Sequence, residues 1–325
     1  MVLDTGSELS WLYCKQSSTS TTPIFDHAKS SSYIAIPCSS PVCTTQTQDL
    51  PAPATCDKQA NLCHVAVSYV DGSSLDGNLA KETFGIGSWT RPAMVFGCMD
   101  SSSSDAETIT GLMGMNRGRL SFINQISLLK FSYCISGSDS TGVLVLGEAS
   151  LPPLKYSPLV TKTDRLPYWD RFAYTVQFEG IQTILDSGTQ FTFLLDPVYS
   201  VLKTEFTEQT KSVLTVDPSY VFQTAMDLCF QVGSTKPDFS KLPTVSLMFR
   251  GAELTVSGEK LLYQVPGLGS DQKYCFTFGN SDLAGFEVFI IGNVHQQNVW
   301  MEYDIANAQV GFANDVRCDQ ASQLL

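Results

Sequence analysis

An internal repeat governs the reading of this 325-residue chain. Residues 2–7 read Val-Leu-Asp-Thr-Gly-Ser, and residues 184–189 read Ile-Leu-Asp-Ser-Gly-Thr. Each block is followed by two apolar residues and a glycine. Leu112-Met113-Gly114 ends 110 positions after Asp4, and Ile290-Ile291-Gly292 ends 106 positions after Asp186. One Asp-Thr-Gly is a turn signal, since Asp, Ser and Gly favour turns. Two blocks in the same order at near-equal spacing indicate a duplicated lobe.

The repeated residues carry a specific chemistry. An apolar strand ending in Asp-Thr-Gly sets a carboxylate at a turn that glycine fits easily, with backbone N–H groups beside it. Two such turns meeting on a two-fold axis would share one proton, because like charges so close cannot both ionise. The ionised member can then take a proton from water while the neutral member polarises a carbonyl. Asp4 and Asp186 are therefore the candidate catalytic pair, and acidic pH is where they would act.

Composition narrows the setting. Hydrophobic residues make up 43% of the chain, enough to fold, and the length suits two domains. The formal net charge of −12 would repel nucleic acid and anionic membrane. No apolar run approaches the ~18 residues of a membrane span. Ten cysteines, an even number without zinc-type spacing, indicate disulfides, and neither His27 nor His64 completes a metal set. Disulfides imply an oxidising compartment. We therefore expect a protein of the secretory pathway, extracellular (apoplast or cell wall) first, with ER lumen or vacuole as alternatives. No signal peptide begins at Met1, from which we expect that Met1 is not the natural start. There is no Asn-x-Ser/Thr acceptor, phosphate-binding Gly loop, His-Glu-x-x-His or Gly-x-Ser-x-Gly.

Most of the chain reads as short strands, including 64–70, 143–146, 173–178, 244–249 and 286–291, with a hairpin over 299–313 turning at Asn307. Helices are expected after an N-cap at Asp196, with Val198, Leu202 and Phe206 on one face, and over 121–129 from Ser121. Ser/Thr-rich stretches at 17–22 and 101–104 read as exposed loops. Leu151-Pro152-Pro153 is the candidate boundary, giving an N-lobe of 1–153 and a C-lobe of 154–325.

The chain resembles the pepsin-like aspartic proteases, in the cysteine-rich plant branch typified by nepenthesin, near the subgroup associated with promotion of cell survival. The resemblance rests on 3–11 (Leu-Asp-Thr-Gly-Ser-Glu-Leu-Ser-Trp), Phe96-Gly97-Cys98, 131–134 (Phe-Ser-Tyr-Cys), 186–193 (Asp-Ser-Gly-Thr-Gln-Phe-Thr-Phe) and 290–293 (Ile-Ile-Gly-Asn). It implies a bilobal all-β fold with a central substrate cleft and endopeptidase activity on protein or peptide substrates with bulky apolar side chains. A monomer needing no cofactor and no metal is implied too. Gly6 and Gly188 would shape the two turns, and Ser7 and Thr189 would hydrogen-bond the outer oxygens of Asp4 and Asp186. Tyr69 would be the tyrosine of a substrate-covering flap, hydrogen-bonded by Trp11. Val70 stands where the family's flap usually has Gly, which would stiffen it. Family pairing implies disulfides Cys38–Cys63, Cys43–Cys56, Cys134–Cys318 and Cys229–Cys275, leaving Cys14–Cys98 as a fifth. His295 is expected to be a surface or hydrogen-bonded histidine without a partner cluster.

Two departures from the family stand out. Only Met1-Val2-Leu3 precede Asp4, where relatives carry some tens of residues including strands. Between Phe178 and Asp186 relatives also carry a longer segment, with a strand and loop. These departures leave a catalytically inactive truncated homologue, or an inhibitor-like binding protein on the same fold, as the alternatives to an active protease.

Overall fold

The computed structural model describes residues 1–14, 24–69, 73–87, 89–100, 109–137, 141–160, 171–178, 180–232, 236–267, 272–285 and 288–323. The Ser/Thr-rich loops expected at 17–22 and 101–104, and Val70 of the flap, lie outside them. The chain packs as two compact units, Met1–Leu128 with Lys162–Tyr174, and Leu129–Thr161 with Thr175–Leu325.

The first unit is built on one sheet. Its strands are β1 (Val2–Asp4), β2 (Trp11–Cys14), β3 (Ile34–Ala35), β4 (Thr55–Asp57), β5 (Leu62–Ser68), β6 (Ser74–Ile86), β7 (Trp89–Asp100) and β8 (Gly111–Gly114). They run in the order β1-β8-β2-β7-β6-β5-β4, with β3 on β6. Trp11, Tyr13, Val65, Leu79, Val95, Met99 and Leu112 form the core of this unit. The short helix α1 (Pro41–Thr44), capped by Ser40, turns Val42 and Cys43 into it. A second short helix, α2 (Phe122–Gln125), starts at Ser121, whose hydroxyl accepts the Asn124 N–H as an N-cap does. The segment expected to be helical to 129 stops at Gln125.

The second unit carries three sheets. In the first, β9 (Lys130–Ile135), β10 (Gly142–Leu146), β11 (Lys155–Pro158), β23 (Trp300–Asp304) and β24 (Gln309–Ala313) run β10-β9-β23-β24-β11. The compact units part at Leu128/Leu129, Thr161/Lys162 and Tyr174/Thr175, whereas the sequence suggested a single boundary at 153/154. Leu151-Pro152-Pro153 only links two strands of one sheet, whose pairing with β23 and β24 outweighs their place in the chain. The β23–β24 hairpin turns as expected at Asn307, whose N–H donates to Asp304 Oδ1.

In the next sheet, β12 (Thr175–Phe178), β13 (Ile181–Leu185), β14 (Thr192–Leu194), β17 (Val245–Phe249), β18 (Ala252–Val256), β21 (Phe278–Asn280) and β22 (Phe289–Ile291) run β18-β17-β12-β13-β22-β14-β21. The last sheet holds β15 (Thr215–Val216), β16 (Cys229–Gln231), β19 (Leu262–Gln264) and β20 (Lys273–Phe276). Three helices accompany them: α3 (Asp196–Thr210), α4 (Ser281–Ala284) and α5 (Asn293–Gln296). The N-cap of α3 is Leu195, one residue before the expected Asp196, and Pro197 occupies the first turn. The buried stripe of α3 runs through Tyr199, Phe206 and Thr210 rather than Val198.

Five disulfides close these units: Cys14–Cys98, Cys38–Cys56, Cys43–Cys63, Cys134–Cys318 and Cys229–Cys275. This corrects two pairings. Cys38 bonds Cys56 rather than Cys63, and Cys43 bonds Cys63 rather than Cys56. The reason is burial: α1 drives Cys43 into the core beside Cys63, while Cys38 stays outside with the exposed Cys56 on β4.

Candidate active site

The two Asp-[Thr/Ser]-Gly turns occupy equivalent places in the two units. Asp4 ends β1, which pairs in parallel with β8, Leu3 opposite Met113 and Asp4 opposite Gly114. The chain then turns back and β2 runs antiparallel along the other side of β8, with Trp11 opposite Leu112. In the second unit β13 pairs in parallel with β22, Ile184 opposite Ile290, and β14 returns along β22 with Phe193 opposite Ile290. Each apolar-apolar-Gly block is thus the strand threaded between the two arms of an aspartate turn.

Packing explains the repeated glycines. A Cβ at Gly114 would lie 2.4 Å from the Glu8 carbonyl oxygen, and one at Gly292 would lie 2.1 Å from that of Phe191. The returning chain crosses both glycines too closely for any side chain. The duplication also runs further than the motifs read from the sequence. Phe96-Gly97 on β7 pairs in parallel with β2, and Phe278-Gly279 on β21 pairs the same way with β14. That second Phe-Gly was a legible signal left unread.

The carboxylates sit in matching cradles. Gly6 and Ser7 donate backbone N–H groups to Asp4 Oδ1 at 2.8 and 3.2 Å, and Ser7 Oγ donates to Oδ2 at 2.6 Å. Gly188 donates its N–H to Asp186 Oδ1 at 2.8 Å, and Thr189 Oγ1 donates to Oδ2 at 2.6 Å. Each carboxylate therefore has one oxygen held by backbone and the other by a hydroxyl. Such charge-assisted bonds orient the group as well as stabilise it. Asp4 is buried, and Asp186 is partly exposed.

A second shell of backbone bonds clasps each turn. Met115 N–H donates to Asp4 O at 2.8 Å and Asn116 N–H to Ser7 O at 3.1 Å; Asn293 N–H donates to Thr189 O at 2.7 Å and Val294 N–H to Gln190 O at 3.0 Å. Asn293 Nδ2 adds a bond to Ser187 O at 3.2 Å. Asn116 and Asn293 were missed as site residues, although each stands just after its apolar-apolar-Gly block. Behind the second turn, His295 is fully buried, with its ring nitrogens 2.7 Å from Thr192 Oγ1 and 2.9 Å from Thr277 Oγ1. It is a hydrogen-bonded histidine, not a surface one. Burial first, then the neighbouring Lys260 ammonium, lower its pKa to about 3.

Trp11 is buried on β2, and its Nε1–H donates to the Tyr69 hydroxyl at 2.5 Å. Tyr69 N–H donates to Ser73 O at 2.8 Å. The shortened segment between Phe178 and Asp186 makes β13 and a tight hairpin, Phe178 opposite Ile181 with Gly180 at φ 77°. β13 is consequently paired on both sides, by β12 and β22. Among the described residues, no group of three or more His, Cys, Asp or Glu is placed to hold a metal ion, and no helix is long and apolar enough to cross a membrane.

Comparison with known proteins agrees with this architecture. Residues 1–148 match the family described as Xylanase inhibitor N-terminal, and residues 169–314 match Xylanase inhibitor C-terminal. The chain is 50% identical to Aspartic proteinase PCS1 of Arabidopsis thaliana, across 100% of this chain and 80% of that protein. That alignment runs over 365 positions, more than the 325 residues here, so part of that relative has no counterpart within the chain. Aspartic proteinase nepenthesin-1 of Nepenthes gracilis is 31% identical over 96% of this chain and 74% of its own. Among solved structures, conglutin gamma from lupine seeds superposes with a TM-score of 0.69 at 19% identity, covering 99% of this chain and 89% of its own. Basic 7S globulin from soybean gives 0.68 at 20%, covering 96% and 86%. These two show the common fold, while the duplicated aspartate turns and the proteinase relatives carry the kinship: the chain belongs to the plant pepsin-like aspartic proteases of the nepenthesin branch.

Proposed function

We propose that this chain hydrolyses internal peptide bonds of proteins at acidic pH, with Asp4 and Asp186 as its catalytic carboxylates. The observation that carries the reading is the matched cradle: both carboxylates are held by a backbone N–H on one oxygen and a hydroxyl, Ser7 or Thr189, on the other. The reaction needs the pair to share one proton. The ionised aspartate takes a proton from water as the water oxygen bonds the peptide carbon. The neutral aspartate gives its proton to the carbonyl oxygen, producing a tetrahedral diol. The aspartate that took the water proton passes it to the nitrogen while the other takes a proton from a diol hydroxyl. The C–N bond thus breaks to acid and amine, and the pair again shares one proton. Gly6 and Gly188 keep the turns open enough for this. Tyr69, held by Trp11, covers the substrate. Bulky apolar side chains beside the scissile bond, a monomeric state, and a secreted location in the apoplast belong to the same proposal. The five disulfides support the last of these.

The test is cleavage of a denatured protein between about pH 3 and 7, with and without pepstatin. Acidic, pepstatin-sensitive cleavage that falls by about 1,000-fold or more in Asp186→Asn is expected. The xylanase-inhibitor description of the matching families favours one other reading, a binding protein on this fold. Folded protein that binds a xylanase and cleaves nothing at any pH would replace the protease reading with that one.

A further inference from the structure

Glu8 lies four residues after Asp4, on the arm that returns from the first aspartate turn, and only 5% of it is exposed. Leu120 N–H donates to its Oε1 at 2.8 Å, while Oε2 is buried with no hydrogen-bond partner. The carboxyl lies flat over Gly118, where a Cβ would fall 2.2 Å from Oε2. Gly118 is tied in turn to Asn116, its N–H donating to Asn116 Oδ1 at 2.8 Å. The Glu8 side chain thus fastens the far end of the loop 114–120 whose near end clasps Asp4 and Ser7.

The cation facing it, Arg119, is engaged elsewhere and compensates a charge there only weakly. The ionisable groups facing Glu8 are Asp49, from the 3-10 helix Gln46–Asp49, and Arg119 of the same loop. These two pair with each other at 2.9 Å, and Arg119 is largely solvent-exposed. At the other end of the turn, the Asp4 oxygens are taken by Gly6 and Ser7. An unpaired buried carboxylate costs far more than a neutral carboxyl with one unmet hydroxyl. In keeping with this, burial, reinforced by Asp49 and opposed by the Leu120 N–H and Arg119, raises the Glu8 pKa to about 7. The second unit lacks the device: its matching residue, Gln190, is exposed and clasps Val294 through its backbone oxygen alone.

We propose that Glu8 is a positioning residue whose uncharged carboxyl locks the Asp4 turn onto loop 114–120. Its ionisation draws water into that contact, releases the lock and sets the upper pH limit of the activity. This rests on the proteolytic reading above for its consequence, but not for its test. Glu8→Gln keeps the shape and cannot ionise. Between pH 4.5 and 7 the folding constant of the natural protein should fall relative to that of Glu8→Gln by roughly 100-fold, read from urea midpoints. The descending limb of kcat/KM should move up by about one pH unit in the variant. A stability difference that stays constant across this range overturns the proposal, as does a descending limb at the same pH in both proteins. If nothing is cleaved at any pH, the proteolytic reading falls and the urea comparison still decides the role of Glu8. Should Glu8→Gln not fold, NMR titration of the glutamate carboxyl carbons in the natural protein decides it. One glutamate titrating near neutrality is expected, and all of them titrating at about pH 4–5 overturns the proposal.

Discussion

At the scale of single residues, one hydroxyl ties Tyr69, just beyond the end of β5, to Trp11 on β2. Trp11 is fixed by β2 and packs edge-on against Tyr13, so its indole N–H points in one direction. The Tyr69 hydroxyl accepts that bond from the outer end of β5. Tyr69→Phe removes the acceptor and leaves the Trp11 N–H buried without a partner, a loss of about 1–3 kcal/mol. We expect kcat/KM to fall by about 10-fold or more, and the urea midpoint to drop with the lost bond. Unchanged kcat/KM would show that the bond plays no part in the proposed catalysis. Ser7 and Thr189 act at closer range: each donates its hydroxyl at 2.6 Å to the outer oxygen of its carboxylate, and alanine at either position removes that bond.

The short elements are held by contacts that neighbouring residues do not foretell. α1 is only four residues long, and Ser40 with Pro41 supplies its start. Its inward face decides the disulfides, because the cysteine it buries can reach only the buried Cys63. The closed loops are nearly equal, with sequence separations of 18 and 20 residues, so loss of chain entropy distinguishes the two bridges little. Burial does distinguish them. Replacing Cys43 and Cys63 by alanine should destabilise by about 3–5 kcal/mol, and replacing Cys38 and Cys56 by about 2–3 kcal/mol, in urea unfolding. Non-reducing peptide mapping should recover Cys38 with Cys56 and Cys43 with Cys63. The β12–β13 hairpin makes the same point in the other unit. A segment that looked too short to support the Asp186 turn turns tightly at Gly180 and gives β13 a partner on each side.

Across the molecule, two buried groups tilt stability in opposite directions with pH. His295 is held neutral well below its ordinary 6.5, at about 3, so between those values the unfolded chain binds the extra proton. Its contribution is complete above pH 6.5 and is lost as pH falls, by about 1.4 kcal/mol per unit. Glu8 is raised from 4.5 to about 7, so across that window the folded chain binds the extra proton. Its contribution is complete below pH 4.5 and is lost as pH rises. The windows overlap from 4.5 to 6.5, where the two slopes cancel and leave a plateau in mild acid. His295→Gln removes the acid-side slope. Relative to the natural protein, its urea midpoint should be higher at pH 3.5 than at pH 7, and a difference independent of pH would contradict the assignment.

The duplicated turns and the apolar-apolar-Gly blocks repeated with them, the hairpin at Asn307 and the start of α3 near Pro197 were all legible in the chain. Each rests on residues adjacent in sequence, where backbone sterics and side-chain period act locally. Composition and cysteine number likewise spoke for disulfides before any partner was known. Cysteine partners, the sheet that joins β9–β11 to β23 and β24, the clasps at Asn116 and Asn293, and the burial of His295 were not legible. These depend on which surfaces meet across a hundred residues or more, and on how much water is left when they do. The neutral state of Glu8 is the clearest case. Its sequence shows only an acid beside a turn, and the cost of desolvating that acid exists only once Gly118 and Leu120 have folded over it.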